Sequence, residues 1–273
     1  MKRIISLLFI LSFTWYSYAA KVDTVAIMSK AMNKTILNVV VKPEHYSGQG
    51  VKLPVLYLLH GAGGNQRDWI SKVPEIKEYA DMYNLIIVCP DGGTTSWYFD
   101  SPVDSTMKYE TYVAKELIDY IDQTYSTIKD KSGRAITGLS MGGHGALYLS
   151  FRHQDVFGAA GSMSGGVDIR PFPNNWDIAK RLGPYAENPQ NWDKNTVINL
   201  LDLVKGKPIK IIFDCGVDDF FAAVNRNLHQ KMLEDKIPHD YIERPGKHTW
   251  EYWSNSIKYQ LVFFNDFFHC TIQ

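Results

Sequence analysis

The stretch Gly138-Leu139-Ser140-Met141-Gly142 reads G-x-S-x-G. A serine placed this way can act as a nucleophile, because the pattern belongs to a sharp strand-to-helix turn that exposes the hydroxyl. Glycines two residues before and after the serine relieve the collisions such a turn forces. The flanks fit: Ala135-Ile136-Thr137 precedes it as a short apolar run, and GGHGALYLSFRH follows with helical spacing. The alternative is a structural glycine turn, which needs no partners. A catalytic serine needs a base, and the base needs an orienting acid.

Strand–elbow–helix chemistry runs in the chain order serine, acid, histidine. Among the eight histidines, His45, His60, His144 and His153 precede or adjoin the motif. His229 falls in a helical pattern, His239 beside a strand and His269 near the C-terminal end. His248 differs: it lies in RPGKHTWEYW, a glycine-bearing loop between the strand pattern DYIER and the last helix. Such a loop at a strand's carboxyl end can deliver a base to the rim of a sheet. The acid is expected after IKIIFDCG. Asp214 sits inside that strand and bonds within the scaffold; we assign Asp219 as the acid, with Asp218 as the alternative. Whichever of the two is not the acid caps the helix that begins near Phe220. The developing oxyanion takes two backbone donors, the N–H of Met141 next to the nucleophile and the N–H of Ala62 in His60-Gly61-Ala62-Gly63-Gly64. This loop has no P-loop lysine, so it does not read as a nucleotide cradle. His60 is expected to pack beneath it.

These residues need a frame. PVLYLLHG (54–61), LIIVCPDG (85–92) and IKIIFDCG (209–216) are continuous apolar runs, as strands buried on both faces require. RAITGLS (134–140) and FGAAGSMSG (157–165) are weaker strands, and two β-rich runs within 22–41 flank Asn33-Lys34 as an antiparallel hairpin. Helical patterns cover 109–125, 141–153, 220–235 and 250–269; in the first, Tyr109, Tyr112, Val113, Leu117 and Ile121 share a face. Alternating strand and helix predict an α/β fold with a mostly parallel central sheet and helices on both faces. From about 166 to 206 the chain turns rich in Pro, Asn and Trp. That length exceeds a plain connection and reads as a short, partly helical insertion over the active-site end. Aromatic rings stack on sugar or phenolic rings, so Trp97, Tyr98, Trp176 and Trp192 are expected to bind substrate.

Composition narrows the class. The 273 residues carry 29 basic and 29 acidic side chains and are 45% hydrophobic, as in a globular domain. No basic stripe or zinc-finger spacing appears, so no nucleic-acid partner is expected. With neither H-E-x-x-H nor paired C-x-x-C, no metal and no cofactor are expected. Lys2 and Arg3, the apolar run from Ile4 to Tyr16 and the small residues at Ser17 and Ala19 read as a signal peptide over 1–20, cut after Ala19 or Ala20. Residues 21–273 then form one catalytic domain, secreted or periplasmic, with no stable membrane association. Cys89, Cys215 and Cys270 make no disulfide framework, and the first two read as buried thiols.

With LLHGAGGNQRDW, PDGGTTSWY, GLSMGGHGA, DCGVDDFF and GKHTWEYW in this order, the chain resembles the α/β-hydrolase superfamily over about residues 25–270. More narrowly it resembles the esterase D-type family: carbohydrate esterase family 1 feruloyl and acetylxylan esterases, tributyrin-type esterases, S-formylglutathione hydrolases and mycolyltransferases. The resemblance implies an α/β-hydrolase fold, the triad Ser140, Asp219 and His248, and oxyanion donors Ala62 and Met141. It favours Asp219 over Asp218, because the family acid stands three residues after a glycine. The expected substrate is a small-molecule or carbohydrate ester, with acetyl or feruloyl groups removed from carbohydrate. A short-chain acyl esterase or a secreted acyltransferase on the same fold is the alternative.

Overall fold

The computed structural model describes residues 20–272. The expected signal peptide lies, but for Ala20, outside the described residues. Apolar runs with no polar alternation cannot present a face to water, and they form the centre of an eight-stranded sheet. The strands are β1 (Lys21–Ser29), β2 (Lys34–Lys42), β3 (Val55–Leu59), β4 (Ile86–Pro90), β5 (Arg134–Gly138), β6 (Ala159–Met163), β7 (Lys210–Gly216) and β8 (Asp240–Arg244). Their spatial order is β1-β2-β4-β3-β5-β6-β7-β8. β1 and β2 form the expected hairpin, with Asn33 at φ 50° in its turn, and β2 meets β4 antiparallel. The pairings from β4 through β8 are parallel. Successive side chains of a strand point to opposite faces. In β3, Val55, Tyr57 and Leu59 therefore enter one core, while Leu56 and Leu58 enter the other.

Four longer helices flank the sheet: α1 (Leu117–Thr124), α2 (Met141–Arg152), α3 (Ala222–Glu234) and α4 (Trp250–Ile272). The pattern over 109–125 is helical but not uniform. Tyr109–Thr111 is α, Tyr112–Glu116 is a π-helical turn, and α1 follows. The predicted face Tyr109, Tyr112, Val113, Leu117 and Ile121 is buried. α4 lays Trp253, Ile257, Leu261 and Phe264, at spacings of three and four, into the second core.

The segment after β6 is partly helical, with Ile178–Leu182, Pro189–Lys194 and the 3₁₀ turns Val197–Leu203. It meets the active-site end with its first part and the helical layer with the rest. Val167, Ile169, Trp192, Val197 and Leu201 join the first core, and the 3₁₀ segment packs on α2 and α3. Its first part reaches the serine end: Gly166 N–H donates to Ser140 O at 3.4 Å, Phe172 packs on Phe221 beside His248, and Trp176 lines the serine cavity. This explains why α2 is buried from Met141 to Phe151: the sheet covers one side and this segment the other. Cys89 and Cys215 are buried free thiols, and burial raises the pKa of both. Among the described residues no helix is long and apolar enough to cross a membrane.

Candidate active site

Ser140 stands between β5 and α2 with φ 55° and ψ −118°. An L-residue holds that conformation only where its surroundings enforce it. Here the enforcement is close packing of the turn. A Cβ at Gly138 would lie 2.7 Å from the Gly142 carbonyl, and one at Gly142 would lie 2.6 Å from the His60 oxygen. The Ser140 N–H donates to Met163 O at 2.9 Å, and its own carbonyl accepts from His144 N–H at 3.0 Å. The hydroxyl is left pointing out of the turn.

The loops after β7 and β8 are tied together by their backbones. Val217 N–H donates to Arg244 O and Asp218 N–H to Gly246 O, both at 3.0 Å. This pairing sets Asp219 against His248. The imidazole Nδ1–H donates to Asp219 Oδ2 at 2.8 Å and Oδ1 at 3.0 Å, and Ser140 Oγ–H donates to Nε2 at 2.9 Å. Phe221 N–H donates to Asp219 Oδ1 at 2.8 Å and fixes the carboxylate further. The cap expected of the other aspartate is not made: the helix begins at Ala222 with Phe221 before it and no side-chain cap, and Asp218 is exposed to solvent. Such a chain can pass a proton from the serine oxygen to the imidazole while the carboxylate holds the ring. Asp214 does belong to the scaffold: it is buried and accepts from Ser256 Oγ, Gln260 Nε2 and Arg244 Nη2.

The Ala62 and Met141 N–H groups flank the serine, and among the described residues neither donates to a protein acceptor. His60 is buried beneath the Ala62 loop. Its Nδ1–H donates to Gly61 O at 2.8 Å, and its Nε2 accepts from Gly92 N–H at 2.7 Å. The ring thereby pins this loop to the one after β4.

Ser140 and His248 open into a cavity of about 600 Å³, walled by Ala62, Asp68, Trp176, Phe220, Trp250 and Trp253 among others. Of the four aromatic residues expected at substrate, only Trp176 lines it. Trp97 and Tyr98, with φ 56° and 60°, turn inward. Trp97 is buried and donates its indole N–H to Trp176 O at 3.1 Å; Tyr98 donates its hydroxyl to His60 O at 3.1 Å. Trp192 is buried in the post-β6 segment and donates to Gly183 O at 2.9 Å. All three bury their rings in the protein and hold backbone in place. The aromatic walls the sequence reading missed are Phe220, Trp250 and Trp253. The Phe220 ring lies 4.2 Å from the His248 ring and Trp253 meets it edge-on at 4.8 Å. The only signal for them was proximity in sequence to Asp219 and His248. A larger cleft of about 860 Å³ lies elsewhere, among charged side chains such as Lys115, Asp119 and Lys194, and has no serine or cysteine in its walls.

A serine elbow at the carboxyl end of a mostly parallel sheet, with an aspartate and a histidine on later strand-end loops, is the architecture of an α/β hydrolase. Residues 29–264 match the family model described as “Putative esterase”, and the chain belongs to this esterase family. An esterase of Mycobacterium tuberculosis is 29% identical over 237 residues, covering 77% of this chain and 52% of that protein. The chain thus spans about half the length of that relative. An acetyl esterase of Caldicellulosiruptor saccharolyticus is 29% identical over 242 residues, covering 82% of this chain and 90% of that one. A solved structure of a ferulic acid esterase superposes with TM-score 0.79 at 30% identity, covering 92% of this chain and 100% of that one.

Proposed function

We propose that this chain is a serine carboxylic-ester hydrolase acting through an acyl-enzyme, and that it removes acetyl or feruloyl groups from carbohydrate. The observation that carries the reading is the unbroken hydrogen-bond chain from Ser140 through His248 to Asp219 at the mouth of an aromatic cavity. His248 Nε2 takes the Ser140 proton as Oγ attacks the acyl carbonyl. The N–H groups of Ala62 and Met141 hold the oxyanion, each contributing about 3 kcal/mol to lowering the barrier. Collapse expels the alcohol, which takes the proton back from His248, and water then releases the acid by the same steps. Asp219 keeps the proton on Nδ1 and stabilises the imidazolium.

Two features support the substrate class. Trp176, Phe220, Trp250 and Trp253 give flat apolar walls that suit a sugar or phenolic ring. The relatives named acetyl esterase and ferulic acid esterase carry these acyl groups in their names. The N-terminal signal pattern supports a secreted or periplasmic enzyme meeting external esters. The test is turnover of 4-nitrophenyl acetate, 4-nitrophenyl butyrate, methyl ferulate and acetylated xylan by the wild type and Ser140→Ala. Wild-type turnover that the variant loses upholds the hydrolase. No turnover of any ester, or an undiminished variant, overturns it. Turnover of nitrophenyl esters alone overturns the carbohydrate part.

A further inference from the structure

One wall of the Ser140 cavity carries a group that ester hydrolysis does not use. Asp68 begins the short helix Asp68–Lys72 and lines the cavity together with Ser140, His248, Trp176 and Trp250. Its carboxylate lies over the loop that bears Ala62, so near that a Cβ at Gly64 would be 2.4 Å from Oδ2. Among the described residues the side chain makes no hydrogen bond and no ion pair there. The turn closes through the Asp68 N–H, which donates to Asn65 O at 3.2 Å, and the helix start has no side-chain cap. Among the described residues nothing donates to the Asp68 carboxylate, and neither Arg67 nor Lys72 pairs with it.

A half-buried carboxylate is an acceptor with up to four lone-pair sites and no proton to give. It holds its position at least cost when a bound molecule supplies donors. In this cavity its neighbours are aromatic planes, which cover the C–H faces of a ring and leave that ring's hydroxyls to be met from the side. A carboxylate meets them well, and it repels a second negative charge brought into the same cavity.

We propose that Asp68 is a specificity-determining residue: its carboxylate accepts hydrogen bonds from hydroxyls on the alcohol half of the ester and turns away esters that carry negative charge. The proposal rests on the esterase reading above, and its hydroxyl half rests also on the carbohydrate reading.

The experiment compares kcat/KM of wild type, Asp68→Asn and Asp68→Glu on three esters: 4-nitrophenyl acetate, a monoacetate of methyl β-xyloside, and the anionic mono-4-nitrophenyl succinate. Each value is read as a ratio to 4-nitrophenyl acetate, so a general loss cancels. In Asp68→Asn the sugar-ester ratio is expected to fall about tenfold and the succinate ratio to rise about tenfold, the size of one charge-assisted hydrogen bond. Asp68→Glu, which restores the charge, is expected to hold the succinate ratio near wild type. Unchanged ratios overturn the proposal, as does a parallel fall on all three esters, which a merely structural role gives. If Asp68→Asn does not fold, judged by circular dichroism, Asp68→Ser takes its place with the same expected ratios. A wild type active on 4-nitrophenyl acetate but inert on the sugar ester removes the carbohydrate reading and the hydroxyl half. The succinate ratio then upholds or overturns the charge half alone. A wild type inert on all three esters and on the methyl ferulate and acetylated xylan above overturns the esterase reading, and this proposal falls with it.

Discussion

At the scale of single residues, the chemistry depends on which of two neighbouring carboxylates meets His248. Asp219 is buried, bonded by the imidazole and by Phe221 N–H; Asp218, one residue earlier, faces solvent. Asp219→Asn is expected to lower kcat by about 10⁴-fold, because the amide favours the wrong imidazole tautomer. Asp218→Asn is expected to stay within about threefold of wild type, as solvent-facing substitutions away from the site do. Steady-state kinetics on 4-nitrophenyl acetate checks both, and equal losses would reassign the acid. The tryptophans separate in the same way. Trp176→Ala removes a cavity wall and is expected to raise KM several-fold. Trp192→Ala empties a fully buried site and is expected to cost about 3–5 kcal/mol of stability, read by urea unfolding.

At the scale of elements, the decisive piece is the β5–α2 elbow. Its tightness is visible in the 2.6 Å approach that a Gly142 side chain would make to the backbone of the neighbouring loop. Gly142→Ala is expected to displace that loop, which carries Ala62, and so to lower kcat by at least tenfold, along with the melting temperature. A variant with wild-type kcat and melting temperature would show the elbow to be looser than its packing implies. Much of this scale was legible from residue types. Runs such as VLYLL and IIVCP have no polar face, and only central parallel strands bury both sides of so short a segment. The π-helical turn at Tyr112–Glu116 was not legible, because the residues that face the core are nearly the same in either helix type. The place of the later part of the 166–206 segment was not legible either. Its apolar residues declare that they need a partner but not which partner, and α2 was the surface available.

At the scale of the whole molecule, the two cores and the covered α2 leave His144 with no water. Burial lowers its pKa from 6.5 to about 4, against the weaker opposing effect of the Asn195 carbonyl, to which Nε2 donates at 2.9 Å, and of the Trp97 carbonyl nearby. The folded form therefore holds the ring neutral, whereas the unfolded chain takes up a proton near pH 6.5. Stability is fully present above about pH 6.5 and is lost as pH falls toward 4, by about 3 kcal/mol in total. Glu110 adds a separate loss only below its ordinary value of 4.5: burial raises its pKa, but bonds from His153, Arg152 and Tyr148 outweigh that and hold it at about 2. Unfolding free energy measured from pH 7 to 5 is expected to fall in the wild type and to flatten in His144→Gln, which cannot titrate. Equal slopes would mean that the ring is hydrated.

Chain order alone determined the frame and the short list of reactive groups: an elbow serine, two carboxylates after one strand, one loop histidine after the next, and a small-residue loop for the oxyanion. These were readable because each depends on local backbone requirements written in adjacent residues. Tertiary structure decided which carboxylate turns inward, which tryptophans face the cavity and which are packed away, and that Phe220, Trp250, Trp253 and Asp68 stand around Ser140. Those outcomes depend on contacts between segments more than a hundred residues apart, such as Ser140 with His248 and Trp69 with Trp250, and a side chain's direction into such contacts is set by the backbone that carries it, not by its type.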